Sequence, residues 1–131
     1  MASIFTKIVS GELPCHEVWQ DEDHLAFLDI RPVKPGHCLV IPKEEISHIT
    51  DMPANSHANL WNAVHHVAAK IKAATDCERV VMMVVGWEVP HVHVHLIPTN
   101  SAEDIPFPEP CDFDTLDFAE WGRRIKSADP K

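Results

Sequence analysis

Apolar and polar positions alternate strictly along His91-Val92-His93-Val94-His95-Leu96-Ile97-Pro98. Alternation of period two predicts a half-buried β-strand, because successive side chains leave opposite faces. Val92, Val94 and Leu96 would then face a core, and the imidazoles of His91, His93 and His95 would share the other face. Periodicity places the other elements in the same way. Ile4, Phe5, Ile8 and Val9 fall at helical spacing and predict a short helix over residues 3–10, with Ser3 as its N-cap and Gly11 as its stop. Residues 17–20 and 24–30 read as two strands of a hairpin around the acidic turn Asp21-Glu22-Asp23. A turn-rich connector over residues 31–36 leads to a third strand over 37–42, closed by Pro42. A short helical turn falls within residues 43–52. The main helix is predicted from about 55 to 75, where Leu60, Val64, Val67, Ile71 and Ala74 follow the i, i+4, i+7 rule and Trp61 and Ala68 widen the stripe.

The unbroken apolar run Val80-Val81-Met82-Met83-Val84-Val85 predicts a strand buried on both faces. The short connector over 86–90 makes it the antiparallel neighbour of the histidine strand. Residues 99–112 are rich in proline and acid and predict an irregular excursion. Residues 114–127 predict a closing helix with Leu116, Phe118, Trp121 and Ile125 as its apolar stripe. The sum is one α+β domain over residues 1–131: an antiparallel sheet of about five strands, one long helix, a short N-terminal helix and a C-terminal helix.

Composition narrows the function more than the fold. The net charge is −9 with histidines neutral. A surface for nucleic-acid polymers needs a basic stripe, so that class is set aside, while a small anion can still be met by a local pocket. No apolar run approaches the ~20 residues that a membrane span needs. The first residues lack a basic stretch followed by an apolar one, so no secretory leader is expected. Cys15, Cys38, Cys77 and Cys111 are widely spaced, which fits reduced thiols in a cytoplasmic protein. His57, His65 and His66 lie near or on the outer faces of the main helix and read as solvated or locally satisfied.

The histidine row asks for chemistry, since each ring needs partners for both nitrogens. A metal is one answer. On a straight strand, though, the outer rings of i, i+2 and i+4 would sit roughly 13 Å apart, too far for all to meet one ion at ~2.1 Å. An ion would need some of these rings plus a distant partner such as His37 or an acid, and no spacing selects one. No metal or other cofactor is therefore expected. The other answer is nucleophilic attack on phosphorus by one imidazole, with its neighbours stabilising the phosphoryl oxygens and supplying a proton to the leaving group.

His91-Val92-His93-Val94-His95-Leu96-Ile97 resembles the histidine-triad (HIT) motif, His-φ-His-φ-His-φ-φ. Upstream, Ile4-Phe5-Thr6-Lys7-Ile8, Glu12-Leu13-Pro14, Leu25-Ala26-Phe27-Leu28-Asp29-Ile30 and Gly36-His37-Cys38-Leu39-Val40-Ile41-Pro42 are similar to the Hint-like branch, in the same order. The resemblance covers most of residues 4–98, and residues 99–131 form a divergent C-terminal segment. It implies a HIT-like fold, a homodimer in which two five-stranded sheets continue into one another, and hydrolysis or transfer at the α-phosphate of a nucleotide through a covalent nucleotidyl-histidine.

The resemblance assigns roles by position. His93 would be the nucleophile, His95 would hydrogen-bond the phosphate, His91 would orient the site, and His37 would be an additional active-site histidine. Asp29 would hold the ribose hydroxyls. Ile4, Phe5, Phe27, Ile30 and Leu39 would sandwich the base, where plain core packing is the other reading. Before the triad the chain is shorter than in many relatives. Trp87 stands in place of a glutamine, and Glu88 falls near the scissile bond where a small residue is common. The C-x-x-C of zinc-binding relatives is absent, its place taken by Ser3-Ile4-Phe5-Thr6.

The expected function is a HIT-type phosphoramidase or hydrolase acting on a nucleoside phosphoramidate or similar conjugate, with a purine nucleoside monophosphate as the part held. A dinucleoside polyphosphate hydrolase is the neighbouring alternative. A nucleotide-binding or interaction module with weak catalysis is the alternative from another class.

Overall fold

The computed structural model describes residues 2–130; the ends of the expected domain, Met1 and Lys131, lie outside them. The elements run α1 (Ile4–Val9), β1 (Glu17–Gln20), β2 (His24–Leu28), β3 (Cys38–Pro42), α2 (Ala54–Thr75), β4 (Arg79–Met83), β5 (Val94–Thr99) and α3 (Phe118–Ser127), with short 3-10 turns at Ile49–Asp51 and Ala102–Asp104. The sheet has five strands in the order β1-β2-β3-β5-β4, and every pairing is antiparallel. This is the HIT-like fold that the sequence predicts. Among the described residues, no helix is long and apolar enough to cross a membrane.

The sheet has two differently covered faces. Ala26, Cys38, Val40, Val94 and Leu96 project onto α2 and pack against its Leu60, Ala63, Val64, Val67 and Ile71. Burying each large aliphatic side chain contributes roughly 1.5–3 kcal/mol, so this stripe is the main tether of α2. On the opposite face Leu25, Phe27, Leu39 and Ile41 form a smaller cluster with Phe5 of α1. Register carries that face across the strands, since Phe27 pairs with Leu39 and Leu39 with His95. His95 therefore lands beside side chains that come from strands far apart in sequence.

Between β2 and β3 the chain reverses tightly, with His37 N–H donating to Lys34 O at 3.0 Å. Gly36 sits there at φ +95°, and a Cβ would come within 3.1 Å of Thr75 Cγ2 on α2. A side chain there would be strained and crowded at once. α2 ends at Asp76 in the left-handed region, whose N–H caps Lys72 O.

Three expectations change. β4 spans Arg79–Met83 and is half-exposed rather than buried on both faces, because it lies at the sheet edge and pairs only with β5 among the described residues. The histidine strand begins at Val94, not His91, because β3 pairs with β5 only from Val94 to Leu96. Val92, Val94 and Leu96 still join the α2 core, but the other face is covered as well, with His91 and His93 likewise buried, so the stretch is not half-buried. The closing helix is shorter than predicted, Phe118–Ser127, and buries no residue.

Candidate active site

Because His91 and His93 precede the regular strand, the rings are held by individual hydrogen bonds instead of forming an even row. His91 is 0% exposed. Its Nε2 lies 2.8 Å from Pro42 O and its Nδ1 lies 2.8 Å from Ser3 Oγ. A carbonyl oxygen only accepts, so Nε2 carries the proton and Nδ1 takes one from the serine hydroxyl. His93 Nδ1 lies 2.8 Å from His91 O. The same rule puts the proton of neutral His93 on Nδ1 and leaves an unshared pair on Nε2. The His93 ring stands at 75° to Phe5 with centroids 4.9 Å apart, which fixes its plane.

His95 is set differently. Val33 N–H donates to His37 Nδ1 at 3.0 Å, so neutral His37 carries its proton on Nε2. That proton points at His95 Nδ1, 3.0 Å away, and the proton of neutral His95 is therefore on Nε2. The His93 and His95 centroids are 5.0 Å apart. An unshared nitrogen pair and an N–H donor thus stand on adjacent rings, which suits attack on phosphorus by one ring with a hydrogen bond from the other to the phosphoryl oxygens.

Burial favours the neutral rings. It pushes the pKa of His37 and of His91 below the usual histidine value, with Asp29 partly opposing at His37 and the Pro42 carbonyl and Glu45 at His91. His95 falls to about 4, through burial first and then the charges of His93 and His37. These rings serve as fixed donors and acceptors near neutrality.

Asp29 closes the cluster, with Oδ2 3.5 Å from His37 Nε2 and 3.9 Å from His95 Nδ1. Its Oδ1 accepts from Arg31 N–H at 2.8 Å. Asp29, His37 and His95 are also a possible ion-binding trio, with donor atoms all within 4.8 Å. The protonation pattern opposes an ion there. A metal on His37 Nε2 would displace its proton to Nδ1, which already faces the Val33 N–H. Within the trio the hydrogen bond runs from His37 Nε2 to His95 Nδ1, with the Asp29 carboxylate beside it. Among the described residues, no buried side-chain nitrogen or oxygen lacks a partner.

The remaining predicted residues are placed unevenly. Phe5, Phe27 and Leu39 are buried in the cluster beneath the histidines. Ile4 and Ile30 are exposed, as is Trp87. Glu88 is exposed in the loop before His91, and its charge slightly opposes the lowering of His95. Ser3, Thr6, Glu45, the Pro42 carbonyl and the Val33 amide also belong to the site. The sequence identified Ser3 only as a cap, and nothing local to Glu45 or Val33 links them to the triad.

A model of the HIT domain matches residues 10–102. The chain belongs to the HIT family. An uncharacterised HIT-like protein of Methanocaldococcus jannaschii is 40% identical over 104 residues, covering 76% of this chain and 81% of the relative. This HIT protein is also 35% identical over 108 residues to the adenosine 5'-monophosphoramidase hnt1 of Schizosaccharomyces pombe, covering 79% and 78% respectively. In three dimensions it is similar to the crystal structure of a HIT family member from Bacillus subtilis. The TM-score is 0.85 at 28% identity, with 97% of this chain and 94% of that one covered.

Proposed function

We propose that this HIT protein is a nucleotide hydrolase or transferase that cleaves a nucleoside phosphoramidate or similar small conjugate at its α-phosphate. The observation that carries the reading is the hydrogen bond from His93 Nδ1 to His91 O at 2.8 Å, which leaves Nε2 as the free nucleophile. His93 Nε2 attacks the α-phosphorus, a nitrogen–phosphorus bond forms, and the bond to the leaving amine breaks. His95 donates its Nε2–H to a phosphoryl oxygen as a hydrogen bond, and the departing nitrogen takes its proton from solvent. Water then attacks the nucleotidyl-histidine, releasing the nucleoside monophosphate and restoring the ring.

His91 orients His93, and His37 keeps His95 in the donating tautomer. Asp29 takes the ribose hydroxyls. Ile4 and Ile30, over the buried Phe5, Phe27 and Leu39, take a purine base, and Glu88 lies toward the leaving group. The chain acts as one HIT-like domain over residues 1–131, works as a homodimer and needs no metal. Its free cysteines fit a cytoplasmic setting. The activity named for the S. pombe relative supports a phosphoramidate over a dinucleoside polyphosphate.

The test is His93→Ala assayed on an adenosine phosphoramidate, alongside trapping of the phosphorus–histidine adduct. Turnover should fall by about 10³-fold or more, the adduct should vanish, and nucleoside monophosphate binding should persist. Undiminished turnover would sink the assignment. A second reading, a nucleotide-binding module with weak catalysis, draws on Glu88, a carboxylate that repels phosphate unless paired. Tight nucleotide binding by the unaltered protein with no trappable adduct would favour it.

A further inference from the structure

We propose that Glu45 is a positioning residue for the nucleophilic histidine, acting through Ser3 and Thr6 of the opening helix. Glu45 Oε1 accepts from the backbone N–H of Ser3 at 2.6 Å and from the hydroxyl of Thr6 at 2.7 Å. Ser3 Oγ donates to His91 Nδ1 at 2.8 Å. His91 in turn donates from Nε2 to Pro42 O, and its carbonyl takes the His93 Nδ1 proton. Short hydrogen bonds, joined through the covalent frames of Ser3 and His91, therefore connect a surface carboxylate to the ring assigned the attack.

Proton placement gives the carboxylate a definite task. His91 Nδ1 has one lone pair and two hydroxyls near it, Ser3 at 2.8 Å and Thr6 at 3.4 Å. Thr6 Oγ1 also lies 3.3 Å from Ser3 Oγ, so without another acceptor the two hydroxyls would exchange donor roles. Glu45 takes the Thr6 proton. That leaves Ser3 as the donor to His91, while Ser3 Oγ accepts from Thr6 N–H at 3.0 Å. Capping α1 needs only this last bond; the other contacts span 42 residues to Ser3 and 39 to Thr6. The two bonds that Glu45 accepts hold its carboxyl at about 2, so it stays ionised under any ordinary assay condition. With one defined partner on each nitrogen, His91 has a single tautomer and a fixed carbonyl. The proton of neutral His93 then stays on Nδ1.

This inference rests on the proposed role of His93, and its test reads the ring proton directly as well as turnover. Glu45→Leu, which removes the acceptor, should lower kcat about ten- to a hundredfold, the scale of a small misplacement of a reacting group, with KM changed by less than about twofold. Nitrogen-15 NMR of the imidazoles should show His93 with its proton on Nδ1 in the unaltered protein and a mixture of tautomers in the variant. Ser3→Thr, which keeps the hydroxyl, should retain kcat, and Ser3→Val, which has nearly the same shape, should not.

Retention of kcat in Glu45→Leu and Ser3→Val would overturn the proposal. So would a loss of kcat that tracks a fall in Tm while the His93 proton stays on Nδ1, since the network would then only pin α1 to the sheet. If the unaltered protein forms no adduct, the assignment of His93 fails, and the tautomer measurement still decides whether Glu45 positions the ring.

Discussion

The helices α2 and α3 carry the same kind of apolar stripe and end in opposite situations. Leu60, Val64, Val67 and Ile71 of α2 are buried against the sheet. On α3, Phe118 is 66% exposed, Trp121 48% and Ile125 72%. Both helices are locally sound: α3 has a side-chain cap, Asp117 accepting from Glu120 N–H, and Arg123 and Arg124 pair with Glu120. Periodicity therefore tells which side of a helix is apolar and does not tell whether anything lies against it. In α2 that face meets a sheet, while in α3 the helix is held by its own cap and by exposed, solvent-screened ion pairs. The proposed site follows the same division, since the sheet and α1 hold all its histidines and the segment after Ile105 supplies none.

The sharpest way to break this contrast is Leu60→Ala. A buried leucine replaced by alanine should cost about 2–5 kcal/mol, read as a lower denaturant midpoint with an unchanged slope. A loss below about 1 kcal/mol would mean that the α2 stripe is not the main tether.

Acid titration should separate the regions next. His37, His91 and His95 have folded pKa values below their unfolded ones, so between about 6.5 and 4 the unfolded chain binds more protons than the folded one. Stability from these rings is fully present above about 6.5 and is lost as pH falls toward the folded value of about 4 at His95, because stability rises with pH wherever the unfolded state holds more protons. Replacing His95 with Asn should flatten the slope in that window, whereas Phe118→Ala on α3, which removes no titrating group, should leave it unchanged. Equal slopes in unaltered and His95→Asn proteins would contradict the buried neutral ring.

The smallest expected effect is that of Trp121→Ala, within about 0.5 kcal/mol as for exposed positions generally. A loss of 2 kcal/mol or more, varying with protein concentration, would show that a second molecule covers this face in solution.

Much of the fold was legible because it depends on local rules. The cap at Ser3, the stop at Gly11 and the stripe of α2 are each set by neighbours within a turn or two of chain. β4 was misread as buried because an apolar run such as Val80–Val85 looks the same in a central strand and at an edge. At the site, the triad and His37 were legible as candidates, while Glu45 and the Val33 amide were not. Glu45 reaches His91 only through residues about 40 positions away in sequence, and a backbone amide such as that of Val33 leaves no mark in the side-chain pattern.

The sequence by itself determined that Val92, Val94 and Leu96 share one face, the one that meets α2. Strand geometry alternates faces whatever the rest of the molecule does, and that pattern survives even where the first histidines lie outside the regular strand. Tertiary structure decided where His91 and His95 keep their protons, whereas His93 and His37 are set by backbone groups two and four residues away. His91 depends on Ser3, 88 residues away, and His95 on His37, 58 residues away. A neutral imidazole can place its proton on either nitrogen, and the choice falls to whichever acceptor or donor the sheet register brings within hydrogen-bond reach.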